Sequence, residues 1–538
     1  MLPSVLRSPH AAVLWAWLLL GGLPALAQQP SPAVEPAEPA EPSKPPESSW
    51  AYVSAMTGPL DRVEASFKEL GVPLPGFLQR EAIEQKLALI GPGGLRATGS
   101  IGMRMGPGEP GADSSGFMVF PIHPDVAPLQ DFTSRGAKTL PGSSDTVRIK
   151  GVFFRRTPGF LLLSPQSQAD ITEFDPEALE ERLSTPGLLA ELDVNLAHWR
   201  KSDPSTFYRL LSESKDENEA SDEDEPSHVK ALGRAMGARI YEQVLDRVRL
   251  TFLDAGSSLR LSVALEPLAP GEIAPFPRPA FPSGAIGRID LAYSSTESSQ
   301  WMREIIEQFM NAAEKDNLFE DAERARVDVD QVRALFKEAF ELFGTADAIS
   351  AAVEPVKGKL LYHQVNQYRS PAGFTERVAA LVEKMNRLDQ KPGQRAEGVG
   401  LTTYSASGVR ISRLTLPGTQ GTLDFVESGT TVRILAAADN KRRLSALLKL
   451  PDDGTLSSGF SSMFDPQAAV DAYLATGGHF PFPLRMRTRE GLRGQRITWT
   501  TRAEGPAAVV DFDVPKPLAQ AILQLMETRA FEADASEP

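Results

Sequence analysis

The chain contains no cysteine. Disulfides, thiol nucleophiles and zinc sites built on thiolates are thereby excluded, and the fold must rest on its apolar core. With 41% hydrophobic residues over 538 positions, the material for that core is present. The length predicts two or more domains at the usual ~150 residues each. Histidine is also scarce. Beyond residue 27 the chain has only His123, His198, His228, His363 and His479, and none has a second histidine at i+2 to i+4. No local metal site is written into that spacing, and no cofactor is expected. Basic charge is in deficit, with a formal net charge of −14. Nucleic acid is disfavoured as a partner, because phosphate contacts need a basic surface. Past the N-terminus no stretch reaches the ~18 continuous apolar residues of a spanning helix, so the mature chain is expected to be soluble.

What is present begins with "WAWLLLGGLPALAQQP". Arg7 supplies a positive end, residues 11–23 form a short apolar run, and Ala25, Leu26 and Ala27 place small residues where a signal peptidase reads. Residues 1–27 are therefore read as a signal peptide, and the protein as exported to the periplasm or beyond, in a Gram-negative bacterium. Residues 28–49 carry seven prolines. Proline fixes φ and removes a donor, so this segment reads as an extended spacer. A lipid tether would need a cysteine after the cleavage site, where Gln28 stands.

Charge is concentrated in two places. Residues 212–225, "SESKDENEASDEDE", hold eight acids against Lys215. A calcium loop would need a turn glycine and ligand spacing that are missing here, so the segment reads as a solvated acidic loop. In "LRMRTREGLRGQR", Arg485, Arg487 and Arg489 alternate along a strand pattern that puts them on one face, and Arg493 and Arg496 follow. A solvated face is the ordinary explanation. These five arginines are also the candidate patch for an anion or an acidic partner.

Apolar stripes at a 3.6-residue period mark amphipathic helices around Trp301, Val332, Phe374 and Leu518. Alternating or apolar runs with short glycine-containing links mark antiparallel hairpins. The order of these elements recurs, which suggests a duplicated unit of about 230 residues, too long for a solenoid repeat. The expected fold class is α+β: two related halves, at 50–270 and 284–527, each a twisted antiparallel sheet with amphipathic helices on one face. A proline-rich join at 271–283 separates them, and 528–538 forms a polar tail.

The signal peptide, together with the strand–strand–helix order seen in "GFMVFPIHPDVAPLQDF", resembles exported, cysteine-free, two-repeat proteins of planctomycete-type Gram-negative bacteria. The resemblance spans most of the mature chain and implies export, but no activity.

Motifs that carry chemistry are missing. "GPGEPG" at 106–111 has the G-x-G-x-x-G spacing, but prolines interrupt it and a strand follows, so it reads as a hairpin loop. No nucleophile elbow, phosphate loop or H-E-x-x-H occurs. In "ELDVNLAHW" a strand reading puts Asp193 and His198 on opposite faces, which disfavours a relay between them. Asp328 and Asp330 read as acids at a helix start, favoured there by the macrodipole. The expectation is a non-enzymatic exported protein that binds a partner or has a structural role in the cell envelope. The alternatives are a carrier of an apolar small molecule or lipid, supported by Phe and Met on the helix stripes, and a hydrolase whose residues converge from distant segments.

Overall fold

The computed structural model describes residues 51–75, 78–87, 92–107, 115–126, 138–139, 145–164, 184–204, 207, 245–267, 274–281, 284–292, 307–308, 310–311, 328–344, 346–356, 359–370, 373–388, 399–406, 408–415, 422–436, 451–456, 459–475 and 492–521. The segments read from the sequence as a signal peptide, a proline-rich spacer, an acidic loop at 212–225, the start of a helix around Trp301 and a tail at 528–538 lie outside the described residues. Among those described, no helix is long and apolar enough to cross a membrane.

The expected fold class is overturned. Among the described residues strand outweighs helix by 50% to 26%, and the fold is mostly β rather than two halves of sheet with helices laid on one face. The physical reason lies in the short runs. Most apolar segments are hairpin strands that bury against other strands, and few helical stripes are long enough to form a layer of their own.

The chain divides into two compact units, each described by itself. The first holds β1 (Val53–Thr57), α1 (Leu60–Leu70), α2 (Arg80–Leu87), β2 (Gly102–Gly106), β3 (Ser115–Pro121), β4 (Lys138–Thr139), β5 (Thr146–Ile149), β6 (Val152–Thr157), β7 (Phe160–Ser164), β8 (Leu188–Asn195), α3 (Leu196–Ser202), β9 (Arg247–Asp254) and β10 (Ser258–Glu266). Residues from Val509 onward belong to it as well. Its strands pair antiparallel in the order β4–β5–β6–β7–β3–β2–β1–β8–β9–β10.

The second unit holds β11 (Phe276–Pro279), β12 (Gly287–Ala292), α4 (Val329–Gly344), β13 (Ala348–Val356), β14 (Lys359–Gln367), α5 (Phe374–Leu388), β15 (Gly400–Ala406), β16 (Val409–Thr415), β17 (Thr422–Ser428), β18 (Thr431–Ala436), β19 (Asp452–Leu456), β20 (Gly459–Phe464), α6 (Pro466–Ala475) and β21 (Ile497–Glu504). Its order is β15–β16–β17–β18–β14–β13–β12–β20–β21. Its nine strands follow the same pairing order as the nine from β4 to β9 of the first unit, where β10 is a tenth strand. What recurs along the chain is thus a ladder of strands. Part of the segment expected to be a proline-rich join is the strand β11, which pairs with β19 as a separate two-stranded ribbon.

Local chemistry sets the helix ends. Gly71, at φ 71°, closes α1 and donates its N–H to the Lys68 and Phe67 carbonyls. The Asn195 side chain caps α3 by accepting from the His198 N–H at 2.9 Å. The strand reading of "ELDVNLAHW" is therefore corrected: β8 stops at Asn195, and His198 lies on a helix. Asp328 accepts from the Asp330 N–H at 3.0 Å, the helix-start role expected for it. The Glu427 carboxylate of β17 takes the Phe374 and Thr375 N–H groups, each at 3.0 Å, and fixes the start of α5 on the sheet.

The helix-bearing face of the second unit is closed over its core, while Leu360, at the start of β14 on the same face, is 56% exposed. Phe374, Val378, Leu381 and Val382 of α5 and Leu342 of α4 pack on Leu291, Ile349, Phe425, Val432 and Ile434. Phe374, Val432 and Ile434 have no exposed surface. In the first unit, α1 packs its Val63 and Leu70 with Leu189 and Leu259. Ile83 of α2 packs separately, with Phe120, Phe154 and Leu161.

Candidate functional site

Of the five arginines singled out in the sequence, two lie among the described residues. Arg485, Arg487 and Arg489 lie outside the described residues. Arg493 and Arg496 are exposed, and Arg496 lies 3.9 Å from Asp465. Of the histidines, His123 is exposed, His198 is on α3 and His363 is buried beside the Phe281 ring at 4.9 Å. Among the described residues no group of three or more His, Asp or Glu is placed to hold a metal.

The buried charges are held by one another within the sheets. Asp424, fully buried on β17, takes Arg413 Nε at 2.6 Å, Arg413 Nη2 at 2.7 Å and the Tyr404 hydroxyl at 3.0 Å. Hydrogen bonding to Asp424 raises the Arg413 pKa above its ordinary value. Burial, reinforced by that carboxylate, pushes the Tyr404 hydroxyl up to about 12. On β12, Asp290 is gripped by Arg288 at 2.7 Å and by Arg278, which reaches across from β11, at 2.8 Å. Arg288 also lies over the Phe281 ring at 4.8 Å. On β8 the buried Asp193 carries Arg247, with Arg249 at 3.9 Å. Each carboxylate is neutralised by a fixed cation. Such clusters specify register and cost desolvation, and their charge is already committed.

A polar ladder runs along β14 beneath the α4–α5 helices. Tyr362 donates to Gln364, Gln364 to Asn366, and Asn366 to Tyr368 at 3.4 Å. Residues two apart on a strand share a face, so the ladder is continuous. Burial pushes the Tyr368 hydroxyl up to about 12 and that of Tyr362 higher still. The closed face of the second unit therefore encloses polar groups that are hydrogen-bonded to each other.

The corresponding face of the first unit is different. One row runs across seven strands in unbroken register: Val263, Leu250, Leu192, Ala55, Met103, Met118 and Leu163. No member of this row is polar. Met103 and Met118 are each 39% exposed, and the other five are half-buried. Leu261, on the same face of β10, is exposed as well. Alternation sends the polar residues of these strands, Ser54, Arg104, Asp193 and Arg249, to the opposite face. A buried methionine is worth ~1.5–3 kcal/mol, so at two-fifths exposure each thioether forgoes roughly 1 kcal/mol. This half-open apolar face is the candidate site. The sequence reading missed it: alternation in "SIGMRMG" shows which residues share a face but not whether anything covers them.

No family profile, curated protein or solved structure matches the chain.

Proposed function

We propose that this is an exported, non-enzymatic protein that binds a protein partner in the cell envelope through the open face of its first ladder. The observation that carries the reading is the apolar row from Val263 to Leu163, left half-open where the repeated ladder has a closed core. The ladder of the second unit also suggests the occupant. There the equivalent surface meets the helix stripe Phe374, Val378, Leu381 and Val382. A partner helix with a comparable apolar stripe is the chemistry that fits the open row, in the manner of a helix laid on an apolar surface.

The test is a photo-crosslinking residue at position 118 in the exporting cell, with position 54 on the opposite face as the control. The reading expects a discrete protein adduct from position 118 alone, on a chain processed after Ala27. An adduct of lipid mass would replace it with the carrier reading. An unprocessed chain retained inside the cell would overturn the assignment to the envelope.

A further inference from the structure

Met103 and Met118 stand directly opposite each other across the β2–β3 pair. Each is 39% exposed, whereas Met56 and Met310 are 5% and 3% exposed. Met105, Met385 and Met463 are half-buried. The chain has no cysteine, so thioethers are the only sulfur that a soft two-electron oxidant meets. We propose that this methionine pair is an oxidant-sensitive modification site, and that its conversion to sulfoxide disables the apolar face. The second half of the proposal rests on the reading of that face as a partner surface.

The reagent class is a hypohalous acid. The lone pair of the methionine sulfur attacks the oxygen of hypochlorous acid. The S–O bond forms as the O–Cl bond breaks, chloride leaves and the hydroxyl proton passes to water. The sulfur is oxidised by two electrons and the hypochlorous acid is reduced by two. Oxidation turns a flexible apolar side chain into a polar one and is reversible by sulfoxide reductases. Geometry makes it consequential here. Opposed residues in an antiparallel pair lie roughly 5 Å apart at Cβ, so two sulfoxide dipoles would crowd one patch. The neighbours of the pair along the row are Ala55 and Leu163, which offer no donor from their side chains. A partner covering the row would strand both oxygens without hydrogen bonds, a costly burial.

The full chain is treated with substoichiometric hypochlorite, and each methionine is read by peptide mass. Met103 and Met118 are expected to gain oxygen about tenfold sooner than Met56 and Met310, because susceptibility follows exposure. Equal rates would overturn the site. The crosslinker is then moved to position 192 of the same row, in the native chain and in a Met103→Leu/Met118→Leu chain. Oxidation is expected to cut the partner adduct about tenfold in the native chain and to leave the leucine chain unchanged. An undiminished adduct from the oxidised native chain would overturn the switch. If neither chain yields an adduct before oxidation, the docking reading fails and the switch with it, while the modification site is still decided by the peptide masses.

Discussion

The two ladders share a pairing order and differ in what lies on them. In the second unit, α4 and α5 have 16 and 15 residues and bring a continuous stripe down onto the sheet. In the first unit, α1 and α2 have 11 and 8 residues. At 1.5 Å per residue, helices of those lengths span about 16 and 12 Å. A row across seven strands at a spacing of ~4.8 Å is about 29 Å wide. Among the described residues, α1 packs near Leu259 and α2 near Phe154, while Met103 and Met118 are each 39% exposed. Among the described residues, the same pairing order thus carries a buried helix stripe in one unit and a half-exposed apolar row in the other.

The comparison breaks most readily at the sealed core. Phe374 is fully buried and meets Phe425 edge-to-face at 5.4 Å. Phe374→Ala is expected to cost about 3–5 kcal/mol of stability by urea unfolding, and Met118→Ala less than about 1 kcal/mol. Similar losses for both would erase the distinction between the faces. Next is Asp424→Asn, which leaves Arg413 without its carboxylate; a loss of about 3 kcal/mol is expected in the same measurement. On the open face, Met103→Lys/Met118→Lys places like charges opposite each other and should lower stability by about 1–2 kcal/mol, well short of Phe374→Ala, while abolishing the crosslink from position 192.

A smaller effect tests how the sealing helix is held. Burial alone would raise the Glu427 carboxyl, but the backbone N–H groups of Thr375 and Phe374 bring it below the ordinary value. A carboxyl with a lowered folded pKa contributes fully above its unfolded pKa of about 4.3, and that contribution is lost as pH falls through the folded value. Glu427→Gln is expected to cost about 1 kcal/mol at neutral pH, as for a lost helix cap. In urea titrations the gap from the native chain should close below the ordinary carboxylate range. A gap independent of pH would mean that the carboxylate charge is not what holds the helix start.

The hairpins were legible in the sequence because their signals are local. Gly159 between β6 and β7 and Gly429 between β17 and β18 take φ of 79° and 60°, conformations that side chains disfavour. The stripes of α4 and α5 were legible for the same reason. The β-rich class was not, because helical stripes and hairpins read with equal weight until lengths and partners are known. Pairings such as β1–β8 and β3–β7 join strands separated by long stretches of chain, and no periodicity reports them. The ion pairs were hidden likewise: Arg413 and Asp424 look like unremarkable charges until the register of β16 and β17 puts them opposite each other. The open face depends on the same pairings and on what does not cover it, so "MRM" and "FMVF" gave no warning.

The absence of cysteine allows the central claim to be tested with single thiols. Met118→Cys and Ile434→Cys place one thiol on the open face and one in the sealed core of the repeated ladder, and maleimide labelling of the folded chain reads both. The account predicts labelling at position 118 within the mixing time and at position 434 at least about a hundredfold slower, through local opening. Equal protection at the two positions would contradict it.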